Sequence, residues 1–385
     1  MTKVRSFLYT RLAKPILFSF SPDQAHAMTM QVLRMAGGVP GVARAVRAFS
    51  VSRHRELEQD WKGMHFSSPV GRSAGLDKNG EAVPFMKAVG FGFSEVGSVT
   101  ARECKGNPKP WFHRLPKSKS LVVHAGLANH GVDVIVPRLE KLSRGFREDY
   151  PKVLSIARTN DKESASDEAG IEDFYYTFKL AQHSPAVQMM EINISCPNAF
   201  CRESFTNPAL FKKLLEKLNT VKPTKPVFIK MPIELPEDQL AKILETAASF
   251  SMITGLTFGN LRKDRSGLSL KDDLSDDMKG GLSGIPTRDL STILISKVYK
   301  DYGDRFVLIG VGGIFSAKDA YEKIKAGPTF VELVTGLIMS GPQLVEEINR
   351  GLVDLMKADG YAHISEAVGA NHKKGSKVAA KSVAK

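Results

Sequence analysis

The sequence has no apolar run approaching the roughly 18 residues that span a bilayer, and no small-residue cleavage site behind an N-terminal signal core. Neither a membrane-spanning helix nor a cleaved secretion signal is expected. Cysteine is scarce: Cys104, Cys196 and Cys201 are the only three in 385 residues. That is no disulfide framework, so a reducing compartment is expected, with Cys196 and Cys201 as reduced thiols rather than a pair. Basic runs interleaved with aromatics, zinc-finger spacings and RNA-recognition signatures are also missing, which argues against specific nucleic-acid binding. No metal site is expected either.

What is present fits one large α/β barrel with an appendage, or two ordinary domains. Hydrophobic residues make up 42% and charged residues 25%, the balance of a soluble globular protein. The net charge of +13 asks for an anionic surface or ligand, such as nucleic acid, anionic lipid or a phosphorylated cofactor. Part of the excess lies in the lysine-rich end, residues 372–385, which reads as a solvated tail.

Residues 1–40 form a basic segment of their own. Val4, Phe7, Leu8, Leu12, Ile16 and Leu17 fall near helical spacing, with Pro15 expected to limit that helix. A second helix is expected from Ser21, where Ser21 and Gln24 make a capping box and Pro22 takes the first helical position, up to Gly37-Gly38. Two short amphipathic helices with basic flanks suit a peripheral membrane contact. They suit equally a helical cap folded onto the main domain.

From about residue 67 strands alternate with helices. The expected strands are Pro69 to Ser73, Phe93 to Val96, Val153 to Ala157, Val187 to Ile194, Val227 to Met231, Ile253 to Phe258, Phe306 to Ile309 and Phe330 to Val334. Helical stretches such as Ile171 to Gln182, Pro208 to Leu218, Pro236 to Phe250, Leu290 to Tyr302 and Ala317 to Ala326 lie between them. Eight such alternations over 41–371 point to a (β/α)₈ TIM barrel, whose chemistry sits just after the strand ends.

Several strand ends carry suitable groups. After the first come Ala74, Gly75 and Lys78; after the second, Ser98; after the fourth, Asn193, Cys196 and Asn198 around Pro197. Lys230 lies at the end of the fifth and Asn260 follows the sixth. Gly310 to Gly313 follows the seventh and Thr335 the eighth, where backbone N–H groups of such turns hold phosphate in this architecture. A phosphate site beside Lys78 and Lys230 suits flavin mononucleotide, with Lys230 placed to stabilise charge on a reduced flavin. Cys196 can serve as a base that takes a proton from carbon, although a buried inert thiol is the commoner fate of cysteine.

The runs FSPDQAHAMTMQVLRM, AGLDKNGE, GFGFSEVGSVTARECKGNPKPWFHRLP, NISCPN, GGLSGIPTRDLST, GVGGIFSAKDAYEKIKAG and EAVGANH together resemble dihydroorotate dehydrogenases, specifically the membrane-associated, quinone-using class 2 enzymes, from about Phe18 to His372. The resemblance implies an FMN barrel, an N-terminal helical pair that docks on the membrane at its cytoplasmic face and admits quinone, and oxidation of (S)-dihydroorotate to orotate in pyrimidine biosynthesis. It assigns flavin contacts to Ala74, Gly75, Lys78, Ser98, Lys230, Ser283, Gly284, Gly312, Gly313 and Thr335. Substrate contacts fall on Lys78, Asn193, Asn198 and Asn260, the base on Cys196, and the quinone tunnel on Arg114 with His26 at its entrance.

Departures from the family pattern cluster at the substrate. Cysteine at 196 resembles the soluble class 1 enzymes. Val123, Ala157, Ala199, Leu261 and Val334 stand where the family carries asparagine, asparagine, threonine, threonine and tyrosine. The sequence therefore leaves open a second substrate for the same flavin barrel, or a catalytically silent flavin-binding or membrane protein.

Overall fold

The computed structural model describes residues 2–39, 41–142, 144–196, 204–275 and 278–373. Eight parallel strands close into a barrel: β1 (Val70–Arg72), β2 (Phe93–Val99), β3 (Lys152–Ile156), β4 (Met189–Asn193), β5 (Val227–Met231), β6 (Ile253–Phe258), β7 (Val307–Val311) and β8 (Phe330–Leu333), each hydrogen-bonded to its neighbours in sequence and β8 to β1. These are the eight expected strands: β5 and β6 have the expected ends, and the other six differ by one to three residues at one end or both.

Alternation along each strand sorts side chains between the barrel interior and the surrounding helices. Inward positions at the N-terminal end are apolar: Phe93, Val153, Met189, Phe228, Ile309 and Phe330 form one buried cluster with Phe66. A hairpin of Gln59–Trp61 and Met64–Phe66 closes that end, with the Trp61 ring 6.1 Å from Phe228 and 6.2 Å from Phe330. Truncating Phe330 to alanine would cost about 3–5 kcal/mol, because a plug held on all sides cannot collapse into the cavity left behind. Chemistry is thereby confined to the opposite, C-terminal mouth.

That mouth is roofed twice. An antiparallel sheet of Phe112–Leu115, Ser120–Val123 and Gly281–Leu282 stands on one side. On the other lie the N-terminal helices. Pro15 does not end the first one: helical turns run from Thr2–Leu8 through a π-helical turn, Tyr9–Ala13, into Lys14–Ser19, where proline occupies the first turn and needs no N–H partner. The second runs Pro22–Gly38 behind the expected capping box at Ser21 and Gln24. A third helix, Val42–Ser50, follows where barrel was expected to begin.

The helices are tied to the barrel by named contacts. Tyr9 donates its hydroxyl hydrogen to the Ile338 carbonyl at 2.7 Å, Lys14 donates to the Met339 carbonyl at 2.9 Å, and Asp23 accepts from the Trp111 backbone N–H at 3.2 Å. Met30 and Leu33 bury themselves among Met86, Leu337 and Leu344. The other face is solvent-exposed and apolar: Phe7, Leu12, Ile16, Val32 and Met35 are each 57–63% exposed. Among the described residues, no helix is long and apolar enough to cross a membrane.

Candidate active site

A cavity of about 700 Å³ occupies the mouth and continues between the barrel and the N-terminal helices. All the expected flavin residues line it, as do Asn193, Cys196, Asn260, His26 and Arg114. Asn198, Ala199 and Cys201 lie outside the described residues. The structure therefore brings together in one space groups that are more than 300 positions apart in the chain.

Lys230 is the electrostatic centre of the floor. It projects from β5 with its Nζ 3.1 Å from Glu95 Oε2, 3.3 Å from Glu191 Oε1 and 3.4 Å from Ser73 Oγ. Burial alone would pull its pKa down, but Glu191 and Glu95 outweigh burial and hold it above the ordinary lysine value. Lys230 is therefore a permanent ammonium. Glu95 also accepts the Ala74 N–H at 2.7 Å, which fixes the turn after β1 and removes that N–H from any ligand.

Lys78 is of a different kind. Its Nζ is buried without a hydrogen-bond partner, held over the Phe112 ring at 5.1 Å and the Trp111 ring at 5.8 Å. Burial lowers its pKa to about 8, with Asp77 and Asp23 limiting the fall. A buried cation with no acceptor within the protein is suited to meeting an anion.

The glycine turns have the shape a phosphate needs. Gly312 and Gly313 adopt φ of 109° and 69°, and a Cβ on Gly312 would meet Thr287 Oγ1 at 2.7 Å, so only glycine fits this close approach of turn to helix. Thr335 Oγ1 donates to Ser283 Oγ at 2.9 Å, joining the turn after β8 to the edge of the roofing sheet. Gly75, at φ 105°, faces open cavity: a Cβ added there would meet no heavy atom within 4 Å.

On the β4 side the amides are engaged internally. Asn193 Nδ2 donates to Ser98 Oγ at 2.8 Å, while its Oδ1 accepts from the backbone and hydroxyl of Ser195 at 3.0 and 2.9 Å. Asn260 Nδ2 donates to the Ser195 carbonyl at 2.9 Å, and its Oδ1 accepts from the Leu261 N–H at 2.9 Å. Ser195, which lies within the NISCPN run but was assigned no role from sequence, is thus the bracket that holds both asparagines. Val123 and Leu261 present apolar side chains to the same cavity, as does Val334 at the helical side, whereas Ala157 is buried and does not line it.

At the helical end, Arg114 has a task the sequence did not reveal. Its guanidinium donates to the carbonyls of Leu17, Phe18 and Phe20 at 3.2, 3.3 and 2.8 Å and stacks over the Phe18 ring, capping the C-terminus of Lys14–Ser19. His26 Nε2 lies 2.8 Å from the Leu76 carbonyl; burial and then the nearby Lys78 push its pKa down to about 4, so it is a neutral ring.

Comparison with known proteins agrees with this geometry. A family model described as Dihydroorotate dehydrogenase matches residues 56–356. The chain belongs to the dihydroorotate dehydrogenase family. Relatives named "Dihydroorotate dehydrogenase (quinone)" extend the match beyond the barrel. One from Deinococcus deserti is 34% identical over 376 residues, covering 94% of this chain and all of the relative. Another, from Parvibaculum lavamentivorans, is 36% identical and covers 94% and 98%. A crystal structure of DHODH from Eimeria tenella in complex with ferulenol superposes with a TM-score of 0.80 at 27% identity, covering 92% of this chain and 96% of that one. The similarity therefore reaches beyond the residues that the family model matches.

Proposed function

We propose that the protein is an FMN-dependent dihydroorotate dehydrogenase that oxidises (S)-dihydroorotate to orotate and passes the electrons to a quinone. The observation that carries this reading is the single cavity in which Lys230, the Gly312-Gly313 turn, Cys196 and the two asparagines meet, and which opens between the N-terminal helices. The residues fit FMN: the positive-φ glycine turns and Thr335 would hold the phosphate, Gly75 would leave room for the ring, and Lys230 would meet the edge where charge develops on reduction.

Bound FMN supplies the two-electron acceptor. The chain's own residues do the rest. Cys196, as thiolate, takes the proton from the substrate carbon that lies next to the one giving up hydride. Lys78 provides the positive charge for a substrate carboxylate, its lack of any acceptor in the protein making it available. Asn193 and Asn260, held rigid by Ser195, hold the substrate's polar ring edge, and Asn198 is assigned the same role.

The exposed apolar row of the N-terminal helices, flanked by exposed Arg11, Arg34 and Arg44, supports peripheral seating on an anionic bilayer at the cytoplasmic face, with quinone entering between helices and barrel. Segments 1–40, 41–371 and 372–385 would serve as membrane contact, catalytic barrel and tail. A second reading, another reduced substrate for the same barrel, is favoured by Val123 and Leu261, whose apolar side chains face the cavity beside asparagines already engaged within the protein.

Recombinant protein separates these readings. Yellow protein whose flavin is bleached anaerobically by dihydroorotate and recoloured by a soluble quinone supports the first. Flavin that binds but ignores dihydroorotate supports the second, and a colourless protein that takes up no FMN contradicts both.

A further inference from the structure

Below the cavity floor, the barrel interior holds a polar layer that substrate and cofactor do not account for. Glu95 on β2, Glu191 on β4, Thr257 on β6 and Glu332 on β8 supply one side chain from each even-numbered strand, and all are 0–1% exposed. Lys230 reaches into this layer from β5. Two positions earlier on β2, β4 and β8 stand Phe93, Met189 and Phe330 of the apolar plug, so the layer is sealed from below.

Three carboxyl groups here face one ammonium. Lys230 Nζ donates to the Glu95 carboxylate at 3.1 and 3.2 Å and to Ser73 Oγ at 3.4 Å, and lies 3.3 Å from Glu191 Oε1 as an ion pair. Neither oxygen of Glu332 has a donor, and neither does Oε2 of Glu191. As carboxylates these groups would sit unneutralised in a buried space; as acids each becomes a donor, and Glu95 is the acceptor both face. The charged or titratable groups reaching Glu332 are Glu95, Lys230 and Glu191, and those reaching Glu191 are Glu95, Lys230 and, reciprocally, Glu332. Burial first, and repulsion from Glu95 second, raise the proton affinity of both.

The two differ in their route outward. Ser155 Oγ donates to Glu191 Oε1 at 3.2 Å, and Ser98 Oγ, which lies 3.0 Å from Ser155 Oγ with either hydroxyl able to donate, lines the cavity. Among the described residues, no hydroxyl makes such a link to Glu332.

We propose that Glu191 and Glu332 each hold a proton in the folded protein, leaving Glu95 as the one counter-ion of Lys230, and that Ser155 and Ser98 connect Glu191 to the cavity as a hydroxyl relay. With its proton on Oε1 and the hydroxyls of Ser155 and Ser98 turned towards the cavity, Glu191 gives its proton to Ser155, Ser155 gives its own to Ser98, and Ser98 gives its own to a water molecule in the cavity. Glu191 is left as a carboxylate beside Lys230 until the reverse passage restores the acid, and no electrons move. The proton count stands without a flavin. That the relay would offset negative charge developing above Lys230 rests on the function proposed above.

Infrared spectroscopy of the full-length protein tests this directly, with or without bound flavin. Two carboxylic acid C=O bands are expected, one removed by Glu191→Gln and the other by Glu332→Gln. On transfer to D₂O the Glu191 band should shift first and the Glu332 band later, with Ser155→Ala slowing the Glu191 shift while keeping its band. Absence of acid bands would overturn the store, and equal exchange rates in wild type and Ser155→Ala would overturn the relay. Should either Gln variant fail to fold, the wild-type bands and the Ser155→Ala comparison still decide. Failure to take up FMN would count against the functional reading alone.

Discussion

Lys230 Nζ on β5 and Glu95 Oε2 on β2 lie 3.1 Å apart inside the barrel, neither more than 7% exposed. This ion pair ties opposite sides of the barrel wall together directly beneath the candidate flavin site. Removing one member of a buried pair strands the other, at a cost of about 3–5 kcal/mol. Lys230→Met is expected to lower the unfolding free energy by that amount in denaturant titration and to abolish flavin retention. A variant as stable as wild type would show that the pair does not act as described.

Glu332 should make the protein pH-sensitive in a definite sense. Its folded pKa is raised, so its contribution to stability is full below the unfolded value of about 4.3 and is lost as pH rises through the folded value. Gln has no such loss. The melting temperature of Glu332→Gln relative to wild type is therefore expected to rise between pH 4 and pH 8, and a difference that stays flat or falls would contradict a protonated Glu332.

Lys78 should set the upper pH limit for binding an anionic substrate. With its pKa lowered to about 8, the ammonium is present below that pH and lost above it. KM is expected to climb above about pH 8, and Lys78→Met to raise KM at pH 7 while removing this limb. A KM independent of pH through 9 in the wild type would remove Lys78 from the site.

The membrane contact is open to surface variants that leave the fold alone. Phe7, Ile16 and Val32 are 60–63% exposed, so replacing all three by serine should alter stability little. Cosedimentation with anionic vesicles is expected to fall at least tenfold, with the flavin retained. Unchanged cosedimentation would make these helices a cap and nothing more.

The barrel was legible because most of its buried parallel strands are short, largely apolar runs, with Pro226 and Pro232 bounding β5, Gly259 ending β6 and Gly312 ending β7. The ends of β2 and β4 were less so, because Ser98 and Asn193 are polar residues buried at strand ends. Pro15 misled because a π-turn before it supplies the relaxed geometry that proline needs. The polar layer left a trace that could have been read: Phe93-x-Glu95, Met189-x-Glu191, Phe228-x-Lys230 and Phe330-x-Glu332 place a charge two positions after an inward apolar residue, hence on the same face. What no pattern could show was the joining of Asn260 to Ser195, or the capping of Lys14–Ser19 by Arg114, since both depend on tertiary approach; the Asn193–Ser195 turn is local.

The most direct test is anaerobic titration of the flavin-loaded protein with dihydroorotate, in wild type and Cys196→Ala side by side. Wild type is expected to bleach stoichiometrically, and Cys196→Ala to keep its flavin but bleach about 10²–10⁴-fold more slowly, the usual contribution of a positioned base. Flavin that stays oxidised in the wild type, or bleaches equally fast without the thiol, would contradict the proposed function or the assigned base respectively.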